Sequence, residues 1–361
     1  KGGVRGLDTM AAFANTLYPN VHLDKFAVAG ASKRGWTTWT VAAVDDRVVA
    51  AVPIVMDVWN AVENLHHHYK AYGGWTFAFK DYWELNFTAH LDSASTQKMF
   101  DIIDPTNYPK TRLHMPKLAI NAGGDEFLLP DDTTFWWHEM QGKNDFLMIP
   151  NAEHSEASGV LELLPAVATF LRGIQRGVDA ARPMINWTIA EGSGDIVVRL
   201  LTPAHTPIKV SVWSATTANG RRRDFRLLNG DNQTQCRADG GLFVKNNMCA
   251  NPKVLWKRRT LERGSDGTWT ATMAPPGDGK WGAFFVHFEF EGPEEEEEGD
   301  EEDDEEAGKA GARGSPPRLQ RRLDWPISVD GHYQMTTSVS VVPQTFPFAD
   351  CHGEGCLGSL V

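Results

Sequence analysis

The chain has 361 residues, 42% of them hydrophobic and 23% charged, ordinary values that exclude collagen-like, coiled-coil and wholly disordered readings. Its net charge of −12 is a local property: residues 291–306 hold 13 Asp or Glu and no Lys or Arg, and without them 34 acidic residues face 35 basic ones. A folded part so close to neutral argues against a nucleic-acid role built on a basic face.

In chain order, Leu7, Met10, Ala11, Ala14 and Leu17 recur at helical spacing. Residues 26–29 are a short apolar run entering Gly30-Ala31-Ser32, and a helix-compatible stretch follows over 33–44. Residues 48–55 are a continuous Val-rich run, the mark of a strand buried on both faces. Residues 117–121 and 146–150 give two more strands, and 133–140 and 160–173 read as helices. Strands separated by helices imply a parallel sheet with crossover helices. Between the second and third strands, residues 57–116 break the alternation and are rich in aromatics, among them Trp59, Tyr69, Tyr72, Trp75, Phe79, Tyr82 and Trp83. A compact domain does not carry a structureless loop that long, so a helical cap is expected there.

From residue 183 the period changes to two. Ile208, Val210 and Val212 alternate with Lys209 and Ser211, and residues 268–273 and 283–290 continue in that style between Gly- and Pro-rich turns. The expectation is an α/β-hydrolase-like domain over 1–182 followed by an antiparallel β-sandwich over 183–348. A disordered acidic insert over 291–323 interrupts the sandwich, because that segment cannot bury enough apolar surface to offset the entropy of ordering. Strand character resumes over 333–342, and residues 349–361 form a Cys-containing tail.

No apolar run approaches the roughly 18 residues of a membrane span, so none is expected. The chain begins at Lys1 without Met or a signal-like segment and reads as processed or as a fragment. Cys236, Cys249, Cys351 and Cys356 lack zinc-site spacing, and pairing each with its sequence neighbour closes two short loops. Disulfides Cys236–Cys249 and Cys351–Cys356, with sequons at Asn86, Asn186 and Asn232, point to a secreted or extracellular glycoprotein.

The sharpest chemical signal is the strand–turn–helix pattern around Gly30-Ala31-Ser32-Lys33-Arg34-Gly35. Small residues before the Ser let strand and helix approach, which exposes the hydroxyl on a strained elbow and turns the Lys33 N–H toward a developing oxyanion. The usual glycine two residues after the Ser is replaced by Arg34, with Gly35 third. Taken alone, Ser32 reads equally well as a helix N-cap. Asp125 follows the strand at 117–121, and His154 follows the strand at 146–149. Ser, then acid, then His, each beyond a successive parallel strand, is the chain order of α/β-hydrolase triads. Asp57, beyond the preceding strand, is an alternative acid, while Glu126, Asp131 and Asp132 read as helix-start residues. The run His66-His67-His68 reads as surface of the cap rather than a metal cluster, and no metal or other cofactor is expected.

The run from Gly30 to Trp39, with Val52-Pro53-Ile54-Val55, Asp104-Pro105, Gly124-Asp125-Glu126-Phe127, Pro150 to His154 and Asp224-Phe225-Arg226, resembles the PhoPQ-activated pathogenicity-related protein family. That resemblance implies an α/β-hydrolase-like fold with a β-rich C-terminal domain, and Ser32, Asp125 and His154 as the catalytic residues. The family includes bacterial secreted proteins and a slime-mould autocrine proliferation repressor. The acidic insert is foreign to its pattern. The α/β-hydrolase fold also places about four strands ahead of the elbow, with one oxyanion donor among them; the sheet is therefore expected to lack its N-terminal strands, and this chain alone to lack full activity.

Three functions follow as expectations. The first is a serine hydrolase acting by acyl transfer on an ester or peptide bond of a small-molecule or peptide substrate. The second is a secreted non-catalytic signalling protein on a hydrolase scaffold, with a cell-surface receptor as partner. The third and weaker one is a carbohydrate esterase, suggested by the glycine three residues after the Ser, which resembles the elbow of some carbohydrate esterases, and by the 13 tryptophans.

Overall fold

A computed structural model describes residues 1–19, 22–230, 240, 242–243, 248–293 and 331–361. The first half runs α1 (Gly2–Leu17), β1 (Phe26–Ala31), α2 (Lys33–Val44), β2 (Val48–Ile54), α3 (Ala61–Tyr72), α4 (Lys80–Glu84), α5 (Ala94–Ile103), β3 (Lys117–Ala122), β4 (Asn144–Ile149) and α6 (Val160–Gln175). Strands β1 to β4 form one parallel sheet in sequence order. The Val-rich run (β2) and the next run (β3) are its centre, with β1 and β4 on either side, and all six residues of β3 are buried. Alternation places Ala50, Val52, Ile54, Leu118 and Ile120 against Leu163, Ala166 and Phe170 of α6. The opposite set, with Ala51, Ala119, Phe146 and Met148, packs with Trp39 and Val41 of α2. The sheet is thus covered on both faces, as a parallel sheet requires.

The segment between β2 and β3 is helical, with α3, α4, α5 and short 3₁₀ turns between them. One expected helix is corrected. Residues 133–140 form two 3₁₀ turns, Asp132–Phe135 and Trp137–Glu139, separated by Trp136 at φ −148°. The break lets Trp136 stack on Trp59 and meet the edge of Trp39, each at a centroid distance of 6.2 Å. Burial of a large aromatic outweighs the weak helical preference of the segment.

The second half is antiparallel, built from β5 (Ile185–Ile189), β6 (Ile196–Leu200), β7 (Lys209–Thr216), β8 (Leu228–Asn229), β9 (Leu242–Phe243), β10 (Cys249–Ala250), β11 (Lys257–Thr260), β12 (Trp269–Ala271), β13 (Gly282–Glu291), β14 (His332–Thr336) and β15 (Ser340–Val342). One sheet has the order β11-β7-β13-β14, with β15 also on β13; a second has the order β12-β6-β5; a short third joins β8, β10 and β9. The first two share a core in which Trp269 meets the edge of Phe288 at 5.2 Å. Thr336 at the end of β14 ties the two halves together: its Oγ1 accepts from Met148 N at 3.0 Å and donates to Phe146 O at 3.4 Å. Of the acidic segment, Glu291 ends β13 opposite His332, and residues 294–330 lie outside the described residues.

The tail packs on the cap. Trp75 donates through Nε1 to Cys356 O at 2.8 Å and through its backbone N–H to Ser359 O, and Val361 N–H returns to Trp75 O. The Cys351–Cys356 disulfide is present. Cys249 is buried, whereas its expected partner Cys236 and the sequon at Asn232 lie outside the described residues. Asn86 and Asn186 are both exposed. Among the described residues no helix is long and apolar enough to cross a membrane.

Candidate active site

β1 delivers Ser32 into the turn before α2 with φ 52° and ψ −126°, a backbone conformation that costs energy for any residue with a Cβ. Surrounding structure imposes it: Ser32 N–H donates to Ile54 O at 2.9 Å, locking the turn against the end of β2. The two glycines explain how strand and helix come so close. A Cβ on Gly30 would lie 2.6 Å from Arg34 O, and one on Gly35 would lie 2.9 Å from Ile54 O and 2.7 Å from the Met56 Cβ. The glycine displaced to the third position is therefore the one that lets α2 rest on β2, while Arg34 points outward and is exposed. Ser32 makes no side-chain capping bond to α2.

Its hydroxyl instead faces His154, with Oγ 2.7 Å from Nε2. On the other side of the ring Nδ1 lies 2.8 Å from Asp125 Oδ2 and 3.0 Å from Oδ1. With Nδ1–H donating to the carboxylate, Nε2 is left as the acceptor for the Ser32 hydroxyl. Asp125 is buried, and its Oδ1 also accepts from Phe127 N–H at 2.7 Å and Leu128 N–H at 3.1 Å, which fixes the carboxylate before it meets the imidazole. Burial works against charging His154, but the hydrogen bond to Asp125 and the charges of Asp125, Glu126 and Glu153 prevail and raise its pKa. Phe127 covers the ring at a centroid distance of 4.5 Å and leads through Phe79, at 5.4 Å, into the aromatic cap.

Lys33, the expected oxyanion donor, is the first residue of α2, where backbone N–H groups have no acceptor within the helix. Asp57, the alternative acid, does not reach His154. It is buried and accepts from Asn121 Nδ2 at 2.7 Å. Burial and the nearby Asp132 and Asp125 push its carboxyl well above the usual range.

The three consecutive histidines are buried, not surface, and each takes a different partner set. His66 lies between Asp92 and Asp350, 2.8 Å from each. His67 Nδ1 is 2.7 Å from Asp132, and its Nε2 meets Arg223 at 2.9 Å. His68 packs among Tyr72, Trp75 and Phe79, and its Nε2 accepts from Thr76 N–H. His66 lies close to Cys351 and Cys356, but their disulfide leaves no thiolate there for a metal. Glu126, expected at a helix start, instead accepts from His154 N–H at 2.9 Å through its Oε2. Nothing in the sequence signals that bond apart from its adjacency to Asp125.

Residues 1–226 match the family model described as PhoPQ-activated pathogenicity-related protein. Autocrine proliferation repressor protein A of Dictyostelium discoideum is 31% identical over 359 residues, a match covering 97% of this chain. The chain spans 62% of that relative's length. Among solved structures, acetyl xylan esterase 1 of a Thermoanaerobacterium species is 22% identical, with 43% of this chain and 48% of that chain covered and a TM-score of 0.29.

Proposed function

We propose, for a chain that belongs to the PhoPQ-activated pathogenicity-related protein family, that it is a serine hydrolase acting by acyl transfer on an ester or peptide bond. The observation that carries this reading is the Ser32 hydroxyl set 2.7 Å from His154 Nε2, with Asp125 bonded to the far side of the ring. In this reading Ser32 Oγ attacks the substrate carbonyl carbon while its proton passes to His154 Nε2. Asp125 holds the ring in the required tautomer and offsets the imidazolium charge. The Lys33 N–H donates to the oxyanion. His154 then returns the proton to the departing alcohol or amine, leaving an acyl-Ser32. Water, deprotonated by the same nitrogen, releases the acid and restores the hydroxyl.

The Cys351–Cys356 disulfide suits an oxidising compartment, so secretion is part of the reading. A second reading, a secreted signalling protein without turnover, is favoured by the name of the 31% identical relative. Because the chain spans only part of that relative, the test uses the full-length protein. Activated aryl esters, acetylated saccharides and short peptides are offered to wild type and to Ser32→Ala. Turnover of any of them that Ser32→Ala abolishes supports the hydrolase. Turnover that survives the substitution rules out Ser32 as the nucleophile, and no turnover with any substrate supports the signalling reading.

A further inference from the structure

Besides the Asp125–His154 bond, two bonds of different kinds join the loops after β3 and β4. Gly124 N–H donates to Ala152 O at 2.8 Å, and the Glu126 carboxylate accepts from His154 N–H at 2.9 Å. The first contact is so close that a Cβ on Gly124 would lie 3.0 Å from Ala152 O. Glu126 is itself buried and anchored, since Thr76 Oγ1 from the cap donates to its carbonyl at 2.6 Å. Consecutive residues of one turn therefore grip both parts of the same histidine. Asp125 holds the ring, and Glu126 holds the main chain.

We propose that Glu126 is a positioning residue for His154, fixing the backbone of the base through its carboxylate and adding a second negative charge beside the ring. The proposal rests on the reading of His154 as general base, but its two physical consequences do not require turnover. A side-chain oxygen bonded to the backbone N–H restrains the loop, so that the ring arrives at Ser32 already aimed. A carboxylate beside the imidazole favours its cationic form, so the neutral base is populated at higher pH than Asp125 alone would set. The charged groups facing this pair are Asp125, Glu153 and Glu126 around His154, Arg226 and Asp125 around Glu126, and Glu156 beyond Asp125. Burial, then Asp125, pushes Glu126 up to about 7, and because its carboxylate and the imidazole lie side by side, the two protonations are linked.

The test compares Glu126→Gln, which keeps an acceptor oxygen and removes the charge, with Glu126→Ala, which removes both. Each is made in the full-length protein, with thermal melting as the fold control. Fluorophosphonate labelling rates are measured against pH, and His154 is followed by NMR through its imidazole and backbone amide signals. The expected result has three parts: Glu126→Ala labels about tenfold more slowly or worse and its His154 amide proton moves upfield; Glu126→Gln recovers most of that loss; and the His154 titration and the labelling profile both move to lower pH in Glu126→Gln. If the wild type does not label, the hydrolase reading fails, and the two NMR signals still decide the inference. An unmoved His154 midpoint in Glu126→Gln overturns it, as does an unmoved His154 amide in Glu126→Ala. If Glu126→Ala does not fold, the midpoint in Glu126→Gln decides alone.

Discussion

At the carboxyl end of the parallel sheet, His154 sits between a hydroxyl and a carboxylate, whereas in the cap His66 sits between two carboxylates. The distances are nearly the same in both places, and the chemistry differs because of what each partner offers. Ser32 is a donor to Nε2 and Asp125 an acceptor from Nδ1, so a neutral imidazole satisfies both partners and keeps a lone pair for a proton. Asp92 and Asp350 only accept, so both bonds are made when His66 carries hydrogens on both nitrogens, and the protonated ring bridges the cap to the tail. Burial opposes that charge, but the bonds to Asp350 and Asp92 outweigh it and raise the His66 pKa. One arrangement suits a base; the other is a fastener.

Three variants sharpen the contrast. Asp125→Asn turns the acceptor behind His154 into a group that can also donate, favouring the wrong tautomer. The labelling rate at Ser32 is expected to fall by about ten-thousand-fold, with the melting curve little changed. A smaller effect is expected in the tail. Replacing both Cys351 and Cys356 by Ser opens a short loop and is expected to cost about 2 kcal/mol. Denaturant melts check that figure, and hydrogen exchange should place the loss in residues 349–361 and around Trp75. The smallest effect is that of His66→Ala, about 1 kcal/mol, because Asp92 and Asp350 are partly exposed and their charges are screened. Its pH dependence is the sharper signature. The His66 pKa is raised on folding, so its contribution is fully present below the ordinary histidine value of about 6.5. That contribution disappears as pH rises through the folded value. Tail protection in wild type should weaken as pH rises above the ordinary histidine value and through the raised folded one, and His66→Ala should lose that dependence. In both tail variants Ser32 should label as in wild type; a dependence of labelling on His66 would break the separation between base and fastener.

The parts of this arrangement that the sequence revealed are those set by neighbours along the chain. The Val-rich run of β2 and the run of β3 announce buried strands, and Gly30 and Gly35 around Ser32 announce a close strand–helix approach. Asp125 and His154 are legible as candidates because each closely follows a readable strand. What stayed hidden depends on contacts between distant positions. Adjacency in His66-His67-His68 suggested one shared fate, yet their partners include Asp350, Arg223 and Trp75, brought in by separate parts of the fold. Trp136 breaks a helix that its own neighbours permit, because Trp39 and Trp59 supply a better environment. Glu126 looks like any acid at the start of a turn until the loop bearing His154 folds back upon it.

The central claim is that Ser32 is a nucleophile activated by His154. It is tested most directly by treating the full-length protein with a fluorophosphonate and locating the adduct by peptide mass mapping, in wild type and in His154→Ala. The account predicts one adduct, on Ser32, that forms faster as pH rises through the elevated His154 pKa and is nearly lost in His154→Ala. An adduct elsewhere, no adduct in wild type, or equal labelling of Ser32 in the two proteins would contradict it.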